Sequence, residues 1–137
     1  MEDLKKFSFL IVDDMSTMRK IVKKLLRDLG ADRFVEAVDG KDALKKIVEN
    51  KGGPNEISFI ISDWSMPNAT GLDLLKTIRG SENFKEMPFV MVTAEQDVAQ
   101  IQEAIASDVD GYVIKPFDQA SFKKRLALAM KKRFPQG

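Results

Sequence analysis

The chain has 137 residues, 22 of them Lys or Arg and 21 Asp or Glu, for a formal charge of +1. That length suits one domain with a core of its own, and the charge balance gives no bulk electrostatic case for nucleic acid. The absence of cysteine and histidine excludes disulfides, thiol nucleophiles, Cys or His metal sites and histidine general bases, so any chemistry must use carboxylates, hydroxyls, lysines or a hard cation.

The opening MEDLKKFSF has no apolar core of signal-peptide length, and no apolar run reaches membrane-spanning length. Phe7 to Val12 is a short apolar run that stops at Asp13-Asp14. Met18, Ile21, Val22, Leu25, Leu26 and Leu29 then fall on one helix face, with Ser16 expected as its N-cap and Gly30 as the residue just past its end. Phe34 to Val38 reads as a strand and Asp39-Gly40 as a turn. Ala43, Leu44, Ile47 and Val48 mark a second helix, broken at Lys51 to Pro54.

Ile57 to Ser62 is again apolar and stops at Asp63. Met66-Pro67-Asn68 and Gly71 read as loop, and Leu72, Leu75 and Ile78 as a short helix. Pro88 to Val92 is a fourth strand, ending at Thr93. Val98, Ile101, Ala104 and Ile105 mark a fourth helix, Gly111 to Ile114 a fifth strand ending at Lys115-Pro116, and Phe122, Leu126, Ala129 and Met130 a last helix. Five strand–helix units with uninterrupted apolar strands predict an α/β, doubly wound (βα)5 fold of the flavodoxin-like kind, its parallel sheet ordered 2-1-3-4-5.

In such a sheet the site lies beyond the carboxyl ends of the strands. Asp13 and Asp14 end strand one, Asp63 strand three, Thr93 strand four and Lys115 strand five. Taken singly, each has a plainer explanation as a cap or turn former; their convergence on one edge points to a site. Three carboxylates in one pocket repel unless something positive joins them. A divalent cation such as Mg²⁺, with oxygen ligands, fits. Asp63 would then be a nucleophile toward phosphorus, with Lys115 and Thr93 holding the phosphoryl oxygens.

The segments FLIVDDMSTMRKIV, SDWSMPNATGLDLLKTIR, MVTAE and GYVIKPF resemble the receiver domain of two-component response regulators, and among them the single-domain CheY-like chemotaxis proteins. The similarity runs from about Phe7 to Met130. It implies one receiver domain over 1–137 without an output domain, regulatory rather than enzymatic, cytoplasmic and monomeric. It implies Asp63 as phosphoacceptor, and Asp13, Asp14, Asp63 and the Ser65 backbone carbonyl as ligands of Mg²⁺ (or Mn²⁺). Lys115 becomes the phosphate-pairing lysine before a cis Pro116, and Thr93 and Tyr112 the switch pair. Val98, Ile101, Tyr112 and Arg125 become a partner surface. The implied partners are a CheA-like histidine kinase, a FliM-like flagellar motor switch protein and a phosphatase, with neither DNA nor membrane among them.

The chain departs from the family pattern at Ser65, at Thr70, at Asp108, where a glycine usually ends the fourth helix, and in the longer segment from Asn50 to Glu56. Trp64 and Met66, which follow Asp63 into the loop, are expected to be partly exposed. Two other functions compete. An aspartyl-nucleophile phosphatase would need a second Asp where Ser65 stands, and a nucleotide-binding module would need a Gly-rich loop after strand one, where Asp13-Asp14-Met15-Ser16 stands.

Overall fold

The computed structural model describes residues 3–94 and 96–135. A short 3-10 turn, Leu4–Lys6, precedes the first strand. Strands β1 (Phe9–Val12), β2 (Phe34–Ala37), β3 (Phe59–Ser62), β4 (Phe89–Thr93) and β5 (Gly111–Ile114) alternate with helices α1 (Ser16–Asp28), α2 (Gly40–Asn50), α3 (Gly71–Arg79), α4 (Val98–Ala106) and α5 (Gln119–Arg133). All strand pairs are parallel, and the sheet order is β2-β1-β3-β4-β5, as the alternation predicts.

Every residue of β1, β3 and β4 is buried, whereas the edge strands β2 and β5 are mostly half-buried. Inner strands lie beneath helices on both faces, which is why they read as continuous apolar runs. Helices α1 and α5 cover one face through Val22, Leu26, Phe122, Leu126 and Met130. Helices α2, α3 and α4 cover the other through Ala43, Ile47, Leu74, Leu75, Ile78 and Ala104. At the end of the sheet remote from the acidic residues, Phe9 stands level with both Phe34 and Phe59. The Phe9 and Phe59 rings lie 4.9 Å apart, so aromatic packing pins the register of three strands at once.

Helix ends follow local chemistry, with corrections to the expectations above. Ser16 is the first residue of α1, not its cap; Met15 holds the cap position and, among the described residues, α1 has no side-chain cap. Gly30 does close α1, at φ +112°. Its N–H donates to the Arg27 carbonyl and that of Ala31 to the Leu26 carbonyl, both at 3.0 Å, the paired bonds of a Schellman ending. Asp39 caps α2 rather than turning with Gly40, accepting from the Asp42 N–H at 2.8 Å. Thr70 and Asp73 form a reciprocal capping box on α3. Val48 and Ile105, read as buried-face positions, are 69% and 63% exposed; they flank the inward stripes of Ile47 and Ala104 by one residue, about 100° around the helix.

The other departure falls at the lower end of α4. Asp108 takes φ +67°, a conformation that Asp tolerates better than most side chains. Its carboxylate meets Lys132 at 2.8 Å and Arg133 at 2.9 Å. Beside it, Asp110 is fully enclosed and pairs with Arg79 at 3.0 Å and Arg133 at 2.9 Å. Burial alone would raise the Asp108 pKa, but the hydrogen bonds from Lys132 and Arg133 hold it down to about 2. A depressed folded-state pKa contributes stability above the ordinary value of 3.8 that is lost as pH falls toward 2. Asp108→Asn keeps the backbone tolerance and removes the titration. Its thermal midpoint is therefore expected to fall less than that of the wild type between those two pH values; parallel pH curves would contradict this.

Candidate phosphoacceptor site

Register places the acidic residues. Val12 is level with Ala37 on one side and Ser62 on the other, so the chain leaves β1 and β3 side by side. The Asp13 N–H donates to the Ala37 carbonyl at 3.1 Å and the Asp63 N–H to the Val12 carbonyl at 2.9 Å. Both residues are thus held by the last sheet bonds before the loops begin. Ligand-atom oxygens of Asp13, Asp14 and Asp63 lie within 4.8 Å of one another. Asp13 and Asp63 are buried and Asp14 is exposed, which gives the cluster a closed floor and an open mouth.

Lys115 arrives from the other side. Thr93 pairs with Ile114 across β4 and β5, and the Lys115 N–H donates to the Thr93 carbonyl at 2.9 Å. The peptide to Pro116 is cis. The Lys115 Nζ stands 3.2 Å from Asp13 Oδ2 and 3.3 Å from Asp63 Oδ2. Thr93 is buried at the end of its strand. The second oxygen of Asp63 accepts the Trp64 N–H at 2.7 Å, so this carboxylate is oriented at both atoms.

Two loops are shaped around Asp63. The Gly71 N–H donates to the Trp64 carbonyl at 2.8 Å, which folds the β3–α3 loop back on itself. Trp64 and Met66 are buried, at 7% and 9% exposed, and pack into the α2–α3–α4 side core. The expectation of partial exposure is corrected: the backbone of this loop lines the site while its large side chains turn under α3. Ser65 between them is exposed. Arg19, in sequence only one more base on the first helix, donates from Nη1 to the Asp13 carbonyl at 2.7 Å. It also pairs with Glu36 at 2.9 Å, tying the β1–α1 loop to β2. Its spacing carries no signal, because Glu36 meets it only once the sheet has formed.

Three carboxylates face one ammonium here. Burial raises the Asp13 pKa; the Met15 N–H bond and Lys115 oppose it, and Asp63 adds to it. A raised folded-state pKa favours folding below 3.8 and loses that contribution as pH rises through the folded value. At neutral pH the ionised pocket therefore costs stability. Asp13→Asn, without divalent cation, is expected to raise the thermal midpoint by about 2–5 °C. A midpoint equal to or below wild type under chelator would contradict it.

The donor set is oxygen alone, buried on one side and in excess of its counter-charge, and so fits a hard divalent cation with several retained waters. No described helix is long and apolar enough to cross a membrane. On the far side of β5, Ile101, Ile105, Tyr112, Arg125 and Lys132 line a groove of about 460 Å³. Val98, at the first turn of α4, is 68% exposed outside it.

The response regulator receiver domain model matches residues 9–127, and the chain belongs to that family, which is regulatory rather than catalytic. It is 48% identical over 122 residues to the Vibrio cholerae serotype O1 chemotaxis protein CheY-3, covering 89% of this chain and 90% of that one. The structure of Vibrio cholerae chemotaxis protein CheY4 superposes with a TM-score of 0.76 at 32% identity, covering 88% of this chain and 96% of that chain. A Borrelia burgdorferi CheX–CheY–BeF3–Mg²⁺ complex gives 0.77 at 26% identity, covering 88% and 86%. The chain is thus a CheY-like receiver domain, and the names of these relatives point to chemotaxis.

Proposed function

We propose that the protein is a stand-alone, cytoplasmic chemotaxis regulator that accepts a phosphoryl group on Asp63 from a CheA-like histidine kinase. The carrying observation is the Asp13–Asp14–Asp63 cluster bridged by the Lys115 ammonium. Asp13, Asp14, Asp63 and the Ser65 carbonyl would hold Mg²⁺ (or Mn²⁺), which supplies charge neutralisation for the phosphoryl oxygens. An Asp63 oxygen forms the bond to phosphorus as the phosphorus–nitrogen bond of the donor's phosphohistidine breaks. The departing imidazole keeps the electron pair and takes a proton from solvent. Lys115 then pairs with the phosphoryl group in place of an ionised Asp63 oxygen, and the Thr93 hydroxyl turns toward it.

Phosphorylation adds up to about two negative charges in one pocket, and a bistable element must carry that to a partner. Thr93 and Tyr112 would supply it, because Tyr112 is half-buried on β5, stands level with Met91 of the Thr93 strand and lines the groove. A FliM-like motor switch protein would occupy the surface of Val98, Ile101, Tyr112 and Arg125. A phosphatase would end the signal, and the protein would act as a monomer. The receiver-domain match over residues 9–127 supports reading 1–137 as one receiver domain. The Borrelia burgdorferi complex, which pairs a CheY with BeF3, Mg²⁺ and a second protein, supports the cation and a partner-binding state.

Affinity for an N-terminal motor-switch peptide, read with and without beryllofluoride and Mg²⁺, tests this. Beryllofluoride is expected to strengthen binding about 5- to 150-fold. Tyr112→Ala and Ile101→Ala are expected to weaken it, and Lys20→Ala with Lys24→Ala on α1 to leave it unchanged. Indifference to beryllofluoride, or loss in the α1 variants alone, would contradict the output surface.

A further inference from the structure

The β2–α2 turn and the β3–α3 loop touch at a point that neither cap nor core requires. Asp39 is only 7% exposed and divides its carboxylate: Oδ1 accepts the Asp42 N–H at 2.8 Å, which caps α2, and Oδ2 accepts the Asn68 side-chain N–H at 2.7 Å. Asn68 makes this bond from φ +72°, a conformation that Asn adopts far more readily than most residues. Next to the bond the two backbones are pressed together, since a Cβ on Gly40 would stand 2.8 Å from Ala69 Cβ. The Ala69 N–H in turn donates to the Pro67 carbonyl at 2.8 Å, so the segment from Pro67 to Ala69 is a tight turn with its apex against Asp39. The β2–α2 turn is itself registered to the site: Ala37, two residues before Asp39, accepts the Asp13 N–H.

We propose that Asp39 and Asn68 are positioning residues for cation binding, a charge-assisted clamp that fixes the β3–α3 loop, and with it the Ser65 carbonyl, relative to the Asp13–Asp14 loop. This rests on the reading of Asp13, Asp14, Asp63 and Ser65 as the Mg²⁺ site. Outer partners that orient ligands commonly change metal affinity by about 10- to 100-fold when removed. Ionised carboxylate acceptors make short, strong bonds to N–H donors, which suits holding a loop rather than merely touching it. The Asp42 N–H first and Asn68 next hold the Asp39 pKa below its ordinary value, the direction expected where both bonds favour the ionised carboxylate.

Capping and clamping can be separated by mutation. Asp39→Ser keeps an N-cap oxygen on α2 but is too short to reach Asn68. Asn68→Gly keeps the left-handed backbone and removes the donor. Asp39→Asn keeps the N-cap oxygen and turns an amide N–H toward Asn68, whose own amide can flip so that its oxygen accepts, and serves as the rescuing variant. In the full chain, Mg²⁺ is titrated by emission of Trp64, the sole tryptophan, and independently by calorimetry, with thermal midpoints under chelator in parallel. Asp39→Ser and Asn68→Gly are each expected to weaken Mg²⁺ binding about tenfold. The double variant should be no weaker than either single, because one bond is lost in all three. Asp39→Asn should stay within about threefold of wild type, a range that a neutral amide–amide bond in place of the charged one allows. Phosphorylation by acetyl phosphate should need correspondingly more Mg²⁺ yet recover at saturation. Mg²⁺ affinities unchanged in both single variants, whatever their midpoints, or losses that add in the double variant, would overturn the clamp. A wild-type protein with neither an emission nor a heat response to Mg²⁺ would overturn the metal site and the clamp together.

Discussion

Asp63→Asn is expected to abolish phosphoryl incorporation from either a phosphohistidine donor or acetyl phosphate while leaving the fold intact. The change swaps one oxygen for an amide of equal size. It keeps the carbonyl that can accept the Trp64 N–H and removes one of the two carboxylates 3.2–3.3 Å from Lys115. An amide is no nucleophile toward phosphorus under these conditions, and the chain has no histidine to take over. Loss of a covalent acceptor is all-or-none, so residual label should fall to background. The thermal midpoint under chelator should hold or rise, because the pocket loses one of its three negative charges. Wild-type incorporation in the variant would remove Asp63 from the centre of the account.

Gly71→Ala should have the largest effect on the molecule itself. A Cβ at Gly71 would overlap the Asp63 carbonyl oxygen and stand 2.8 Å from Met91 Sδ and 3.0 Å from the Asp63 carbonyl carbon. The sulfur can swing aside; the backbone of Asp63 cannot, since its N–H is held to Val12 and the Trp64 carbonyl to the Gly71 N–H. Relief must come from displacing the acceptor loop or the start of α3. Overpacking against side chains costs about 1–3 kcal/mol, and a backbone obstacle is expected to reach or exceed the top of that range, lowering the midpoint by about 12 °C or more. Whatever folds should also show an altered Trp64 emission. A variant within 2 °C of wild type, about 0.5 kcal/mol at this size, would show that the loop yields freely.

The strand ends explain why much of the site is legible in the amino-acid sequence. Asp13, Asp63, Thr93 and Lys115 each terminate an apolar run, and parallel strands put such termini on one edge. The family resemblance adds Ser65, Tyr112 and the outer surface, which no periodicity singles out. Trp64 and Met66 read as partly exposed because they follow an acidic residue into a loop; their burial depends on the core cluster they join with the α3 residues Leu72, Leu74 and Leu75. Ser16 reads as a cap, but the chain between Asp14 and α1 turns by way of Met15, which takes the cap position. Arg19 on Glu36, Asn68 on Asp39 and Gly71 against Asp63 leave no local trace. The first joins α1 to β2, the second two loops, and the third the two ends of one loop; such approach is tertiary, and that is what pattern reading lacks.

The most direct measurement is the location of the phosphoryl group. Purified protein is incubated with Mg²⁺ and a phosphorylated chemotaxis-type histidine kinase, reduced with borohydride to trap any acyl phosphate, digested and mapped by mass spectrometry. One trapped aspartyl residue is expected, Asp63, dependent on Mg²⁺ and absent in Asp63→Asn. Trapping at another residue, or none from a donor that phosphorylates a related receiver in the same tube, would contradict it.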